Sequence, residues 1–243
     1  MNAPVFLVDE LPTGDATVLG GAEGRHAATV RRLRPGERVD LADGVGGLAE
    51  CTVVGGGRDT IEVAVLDRRR VPAPTPRLVA VQALAKGDRG ELAVELMTEG
   101  GVDEIVPWQA ARSVARWSPE RAEKAVGRWR STAREAAKQS RRAWLPAVSP
   151  LATTGDVSAR LAAARCAIVL HEEATASLGA VDVPTMGEVV IVIGPEGGLD
   201  AAELADFTAA GAQAVRLGRT VFRTSSAGLA ALSVLSARLG RWD

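Results

Sequence analysis

The chain has 243 residues, 47% of them hydrophobic and 24% charged, with a net charge of −1 and two cysteines, Cys51 and Cys166. Such a length and balance suit one large or two small globular domains, and two cysteines disfavour a disulfide framework and fit a reducing cytosol. No charged-then-apolar leader, no apolar run of spanning length and no Cys/His cluster of metal-ligand spacing is present, so a cytoplasmic protein with no membrane partner and no metal is expected.

The charge is unevenly spread. Trp108–Trp144 holds eight Arg and two Lys against three Glu, whereas the region after Pro150 holds seven Arg against ten Asp and Glu. A basic middle in a neutral chain is a localised footprint for a polyanion.

From the amino end, Pro4–Val8, Arg38–Asp43, Leu48–Val54 and Thr60–Leu66 read as short strands separated by glycine-bearing turns, the pattern of a small barrel or sandwich. Between the first two, Gly24–Leu33 reads as a helical turn carrying Arg25, His26, Arg31 and Arg32, with Arg34 just beyond it. On charge alone this is a solvated face. The proline-rich VPAPTP at 71–76 marks a linker, dividing a module of residues 1–72 from a larger domain of residues 73–243.

Leu78–Val81 reads as a buried strand. A helix follows with Asp88 and Glu91 at capping-box spacing and Leu92, Leu96 and Met97 as its apolar face, then a strand at Ile105–Val106. Strand, helix and strand in this order predict a parallel βαβ unit. Ser118-Pro119-Glu120 starts a long helix with Ala122, Val126, Trp129, Ala133 and Ala136 on one face and Lys124, Arg128, Arg130, Arg134 and Lys138 mostly on the others. Trp108, Trp117, Trp129 and Trp144 are interleaved with these cations, a combination able to neutralise phosphates and stack on unpaired bases.

Beyond a helical stretch at Leu161–Ala164, Cys166–Leu170 is a buried strand ending at His171-Glu172-Glu173. The apolar run Val189–Ile193 is a second, stopped by Gly194-Pro195-Glu196-Gly197-Gly198. Asp200 and Glu203 form another capping-box spacing, and the helix they open runs to Gly211. A short strand, Ala214–Leu217, ends at Gly218, and Leu229, Leu232, Leu235 and Leu239 give a final helix its apolar face. Two strands ending in glycine-bearing loops can place backbone amides and carbonyls, with Arg219 and Arg223, at the carboxyl edge of a parallel sheet. Neither GxGxxG nor a P-loop is present.

Four separated motifs carry a resemblance. HAATVRRLRPGERVDLADG, KGDRGELAVELMTEGGVDEIVP, EAAKQSRRAWLPAV, and IGPEGGL followed by LGRTVFRTSSA together resemble the bacterial family that methylates N3 of a uridine in 16S ribosomal RNA, a SPOUT-class methyltransferase family. The resemblance implies a PUA-like β-barrel followed by an α/β domain with a carboxyl-terminal trefoil knot, acting as a homodimer on the 30S subunit with S-adenosylmethionine as cofactor. It places three cofactor loops. Leu170 and His171 lie on the first, Ile193, Gly194, Pro195, Glu196 and Gly198 on the second. The third holds Leu217, Gly218, Val221, Phe222, Arg223, Thr224 and Ser226. It also implies RNA contacts at Arg25, His26, Arg32, Lys86, Arg89, Arg134 and Arg142.

Arg223 is the candidate for stabilising a uracil N3 anion. Glu196 is either a turn residue satisfying loop amides or the group that handles the proton or orients Arg223. Three departures from the family pattern stand out: Leu96 where it has Lys, Gly100 where it has Leu, and Ser225 where it has Glu. The last leaves the general base open. A ribose 2′-hydroxyl methyltransferase of the same class and a non-catalytic ribosomal-RNA-binding assembly factor are the alternatives.

Overall fold

The computed structural model describes residues 3–242. Contacts divide the chain into two units, Met1–Ala73 with Ala137–Leu145, and Pro74–Ala136 with Pro146–Asp243.

The smaller unit is a curled five-stranded sheet of β1 (Val5–Leu7), β2 (Ala16–Leu19), β3 (Arg38–Ala42), β4 (Gly47–Gly56) and β5 (Ile61–Arg70), ordered β1-β3-β4-β5-β2. Only β1 and β3 pair in parallel. Register shifts at Glu50/Cys51 and Val53/Gly55 bend the long β4–β5 pair, as bulges do. Its concave face buries Phe6, Val39, Leu41, Ala49, Val53, Ile61 and Val63. Burial there pushes the Cys51 thiol up to about 11. Strand β2 carries no signal in the sequence, because this edge strand buries only Leu19 and shows no alternation. Helix α1 (Gly21–Arg25) and a π-helical turn at His26–Val30 form the expected helical segment.

The Ala137–Leu145 segment returns to this unit. Lys138, read among the cations off the apolar face of the long helix, is buried and donates to Glu23 at 3.0 Å. Trp144 donates its indole N–H to the carbonyl of Val71 at 3.0 Å.

The larger unit is a six-stranded, wholly parallel sheet. In chain order it comprises β6 (Arg77–Ala83), α2 (Arg89–Glu99), β7 (Glu104–Trp108), α3 (Pro119–Gln139, its last three residues in the smaller unit), β8 (Ala147–Val148), α4 (Thr154–Ala163) and β9 (Cys166–Leu170). There follow β10 (Glu188–Ile193), α5 (Ala201–Ala209), β11 (Gln213–Val215) and α6 (Thr224–Arg238). The strand order is β11-β9-β10-β6-β7-β8, which puts the apolar run of β10 in the interior. Val189, Ile191 and Ile193 pack into the core on one face, with Met97, Leu232 and Leu235. Val190 and Val192 pack into the core on the other, with Leu161 and Phe207. Burying each such side chain stabilises the fold by about 1.5–3 kcal/mol.

An ion-pair clasp closes the amino edge of this sheet. Arg160 donates to both oxygens of Glu104 at 2.7 Å and to Glu188 at 3.1 Å, and Arg77 reaches Glu104 at 2.8 Å and Glu188 at 3.0 Å. Burial opposes ionisation of Glu104. The hydrogen bonds from Arg160 and Ser149 and the charges of Arg160 and Arg77 outweigh it and hold the carboxyl below the usual range.

Several expectations are corrected. Trp108 and Trp129 are core residues, 0% and 1% exposed, and so do not stack on bases. Trp108 packs edge-on against Phe207, and Trp117 edge-on against Trp129. Asp88 is helical in backbone and makes no side-chain cap, while Glu91 receives a hydrogen bond from Arg128 at 3.3 Å instead. The buried face of α2 is Gly90, Ala93, Val94, Met97 and Thr98, with Leu92 exposed. The strand expected to reach Leu217 ends at Val215, and α6 begins at Thr224, five residues before the leucine face.

Candidate functional site

Three parallel strands, β9, β10 and β11, end side by side, and the loops leaving their carboxyl ends enclose a cavity of about 350 Å³. That is within the range of small-molecule sites, roughly 300–1,000 Å³. Leu170 and His171 come from the first loop, Ile193, Gly194, Pro195, Glu196 and Gly198 from the second. Leu217, Gly218, Val221, Phe222, Arg223 and Thr224 come from the third. All thirteen sequence candidates named here line the one cavity. Ser226 does not. It sits one turn into α6 and donates its hydroxyl to the carbonyl of Arg223 at 3.3 Å.

Local chemistry explains the shape of each loop. The second turns away from β10 through Gly198, whose φ of 71° is the left-handed conformation that glycine adopts without strain. Leu199 packs over the strand end, where a Cβ on Gly194 would touch it at 3.4 Å, an ordinary contact distance. The capping box at Asp200 and Glu203 then starts α5 as expected, and Glu203 also accepts the Ala111 amide at 2.7 Å. Arg112 donates to the carbonyl of Gly197 at 3.3 Å, bracing the loop from outside. In the first loop, the His171 amide donates to Val215 at 2.9 Å and its Nδ1 accepts the Glu173 amide at 3.3 Å, the bonds of a polar strand cap.

Charge is the second property of the cavity. Arg89, Arg216, Arg219 and Arg223 all line it, with Glu172 and Glu196. Among the described residues, Glu196 accepts the Lys86 amide at 3.1 Å and the Arg89 guanidinium at 3.3 Å, and no bond joins it to Arg223. It therefore does serve a neighbouring loop amide, and the cation it holds is Arg89. The side chains of Arg216, Arg219 and Arg223 make no hydrogen bond or ion pair with other described residues. Uncompensated guanidiniums around a concave site suit a ligand carrying negative charge.

Sequence reasoning missed Gln82, Leu199, Arg216, Thr220 and Ala227. A signal for Gln82 existed, since it is the one polar residue in the run LVAVQALA. Fully buried, its Nε2 donates to Thr224 Oγ1 at 3.0 Å, and Thr224 donates in turn to the carbonyl of Gly194 at 2.7 Å.

The RNA candidates divide between the two units. Arg25, His26, Arg32 and Arg142 belong to the smaller unit, and Lys86, Arg89 and Arg134 to the larger. Arg25 forms an exposed pair with Asp59 at 3.6 Å, and His26 packs edge-on against Phe6. Arg32 is exposed with φ 53°, a conformation uncommon outside glycine. Arg134 and Arg142 both interact with other groups of the protein. Among the described residues no cluster of metal-ligating side chains exists, and no helix is long and apolar enough to cross a membrane.

Known proteins share this arrangement. Residues 72–236 match the RNA methyltransferase domain family, and residues 19–66 match the RNA methyltransferase PUA domain family. Ribosomal RNA small subunit methyltransferase E of Mycobacterium bovis is 48% identical, the match covering 100% of this chain and 95% of that one. Its namesake in Bacillus subtilis is 30% identical over 94% of this chain and 91% of the relative. The crystal structure of the Neisseria gonorrhoeae protein of that name, bound to S-adenosyl methionine, superposes with a TM-score of 0.85 at 26% identity, covering 98% of each chain. On these matches the chain belongs to the RNA methyltransferase family whose relatives are named ribosomal RNA small subunit methyltransferase E.

Proposed function

We propose that the protein methylates N3 of a uridine in 16S ribosomal RNA of the small subunit, with S-adenosylmethionine as methyl donor. The observation that carries the reading is the cavity at the carboxyl edge of β9, β10 and β11, lined by apolar side chains, glycine backbone and unpaired arginines. The residues suit the cofactor. Leu170, Ile193, Leu199, Leu217 and Phe222 offer an apolar surface for a purine, and loop carbonyls and amides can hold a ribose. The bound donor supplies an electrophilic methyl group on a sulfonium.

The chain must then position the uridine and favour loss of its N3 proton. Arg223 stands at the cavity wall immediately before α6, with a guanidinium free to stabilise charge on the uracil carbonyl oxygens. Glu196 ties one oxygen to the Lys86 amide and Arg89, and its other oxygen accepts no bond from a described residue. That oxygen is our candidate for receiving the N3 proton. Excluding water from the cavity strengthens both interactions.

The proposal extends to organisation. Residues 1–72 act as the PUA-like RNA-holding module and residues 73–243 as the catalytic domain. Arg25, His26, Arg32, Lys86, Arg89, Arg134 and Arg142 supply phosphate contacts. A trefoil knot is supported by the chain path. After β11 at the sheet edge the chain crosses back, and α6 packs on α2, β10 and β6. A homodimer is supported by Val221 and Phe222, apolar yet 79% and 43% exposed at the cavity rim, and action in the cytoplasm goes with the proposed ribosomal RNA substrate.

The test is methyl transfer from labelled S-adenosylmethionine to 30S subunits of cells lacking the protein, with mass analysis of the digested nucleosides. 3-Methyluridine is expected. A 2′-O-methylated nucleoside, or RNA binding without transfer, would instead support the two alternative readings.

A further inference from the structure

Gln82 lies at the carboxyl end of β6, in register with Ile193 of β10, and is 0% exposed between Val81 and Ala83. Its Nε2 donates to the carbonyl of Ala83 and to Thr224 Oγ1, both at 3.0 Å. Its Oε1 is buried with no hydrogen-bond partner among the described residues. The amide orientation follows from its surroundings, because turning it over would set Oε1 against the Ala83 carbonyl. Leaving an acceptor unpaired in a dry interior is unfavourable, a cost that an apolar side chain of equal size would avoid.

The compensating benefit lies in what Nε2 does to Thr224. A hydroxyl has one proton to give. By filling an acceptor position of Oγ1, Gln82 leaves that proton directed at the Gly194 carbonyl, 2.7 Å away. The relay Gln82–Thr224–Gly194 thereby ties a central strand, the first residue of α6 and the GPEGG loop into one unit. Gly194 and Thr224 both line the cavity, and Arg223 is the residue adjoining Thr224.

We infer that Gln82 is a positioning residue for methyl transfer. It fixes the proton of Thr224 on Gly194 and so sets the place of Arg223 against the donor loop. The inference rests on reading the cavity as the S-adenosylmethionine site.

The experiment compares Gln82→Met, Thr224→Val, the double variant and Thr224→Ser in the full chain. Melting temperature, calorimetric affinity for S-adenosylmethionine, and kcat and KM on 30S subunits are measured for each. Gln82→Met is expected to melt at or above the wild-type temperature, since the orphaned acceptor is gone. Its kcat should fall on the order of ten- to a hundredfold, the scale of a small misplacement of reacting groups. Thr224→Val should match it, the double variant should be no slower than either single one, and Thr224→Ser, which keeps the hydroxyl, should recover most of the turnover lost in Thr224→Val.

Wild-type turnover in Gln82→Met overturns the inference alone. So does an additive double variant, or a lowered melting temperature in both single variants, which would make the amide a mere strut. A wild-type chain that binds no S-adenosylmethionine overturns the donor-site reading itself.

Discussion

Glu196→Gln separates the two roles open to this residue. Its ion pair with Arg89 joins side chains 44% and 25% exposed at 3.3 Å, a geometry that contributes about 0.2–1 kcal/mol after solvent screening. The Lys86 amide bond, at 3.1 Å, survives the change because the Gln oxygen still accepts it. The stability loss is therefore at most about 1 kcal/mol, which for a domain of this size lowers the melting temperature by about 2–4 °C. If the other carboxylate oxygen receives the N3 proton, the amide cannot replace it, and kcat falls by roughly 10²–10⁴. Differential scanning fluorimetry and single-turnover methylation of 30S subunits read the two quantities on one preparation. Turnover within threefold of wild type would refute the proton-handling role and leave Glu196 as a loop tie.

Other expected outcomes follow from the same geometry. Arg223→Ala should lower kcat by about 10²–10³ with little change in S-adenosylmethionine affinity, because the stabilised charge develops only in the transition state; an equal loss of cofactor affinity would assign Arg223 to binding instead. Glu104→Gln should reduce the acid sensitivity of folding, measured as melting temperature against pH. The folded carboxyl ionises more readily than the unfolded one, so its contribution is complete above about pH 4.5 and is lost as pH falls through the folded value; an unchanged slope would contradict this. Gly228→Ala should destabilise the fold by about 1–3 kcal/mol through overpacking, because a Cβ there would meet Met97 Sδ at 2.5 Å; equilibrium urea unfolding measures it. Arg32→Ala should weaken RNA binding uniformly across sequences and reduce the salt slope by about 0.7–0.9, as loss of one phosphate contact does.

Much of the larger unit was legible because its signals are local. The run Val189–Ile193 is buried on both faces, and the Asp200–Glu203 spacing forms the expected capping box. Glycine loops at strand ends pointed to the sheet edge where the cavity lies. Long-range pairings were not legible. Arg77, Glu104, Arg160 and Glu188 come from four elements, and nothing in their spacing announces a shared clasp. The tryptophans misled for another reason. Helical spacing already sets Trp129 on the apolar face with Val126 and Ala133, where it faces the core, and only its arginine neighbours in sequence suggest stacking on bases. Gly100, a departure from the family pattern, gains a reason only in three dimensions, since a Cβ there would lie 2.8 Å from Leu229 of α6.

Hydrogen–deuterium exchange with and without S-adenosylmethionine tests most directly that the three-loop cavity is the methyl-donor site. Protection is expected in peptides spanning residues 170–173, 194–198 and 216–224, with none in residues 3–72. Saturable binding accompanied by protection elsewhere, and unchanged exchange at Gly194–Gly198, would contradict it.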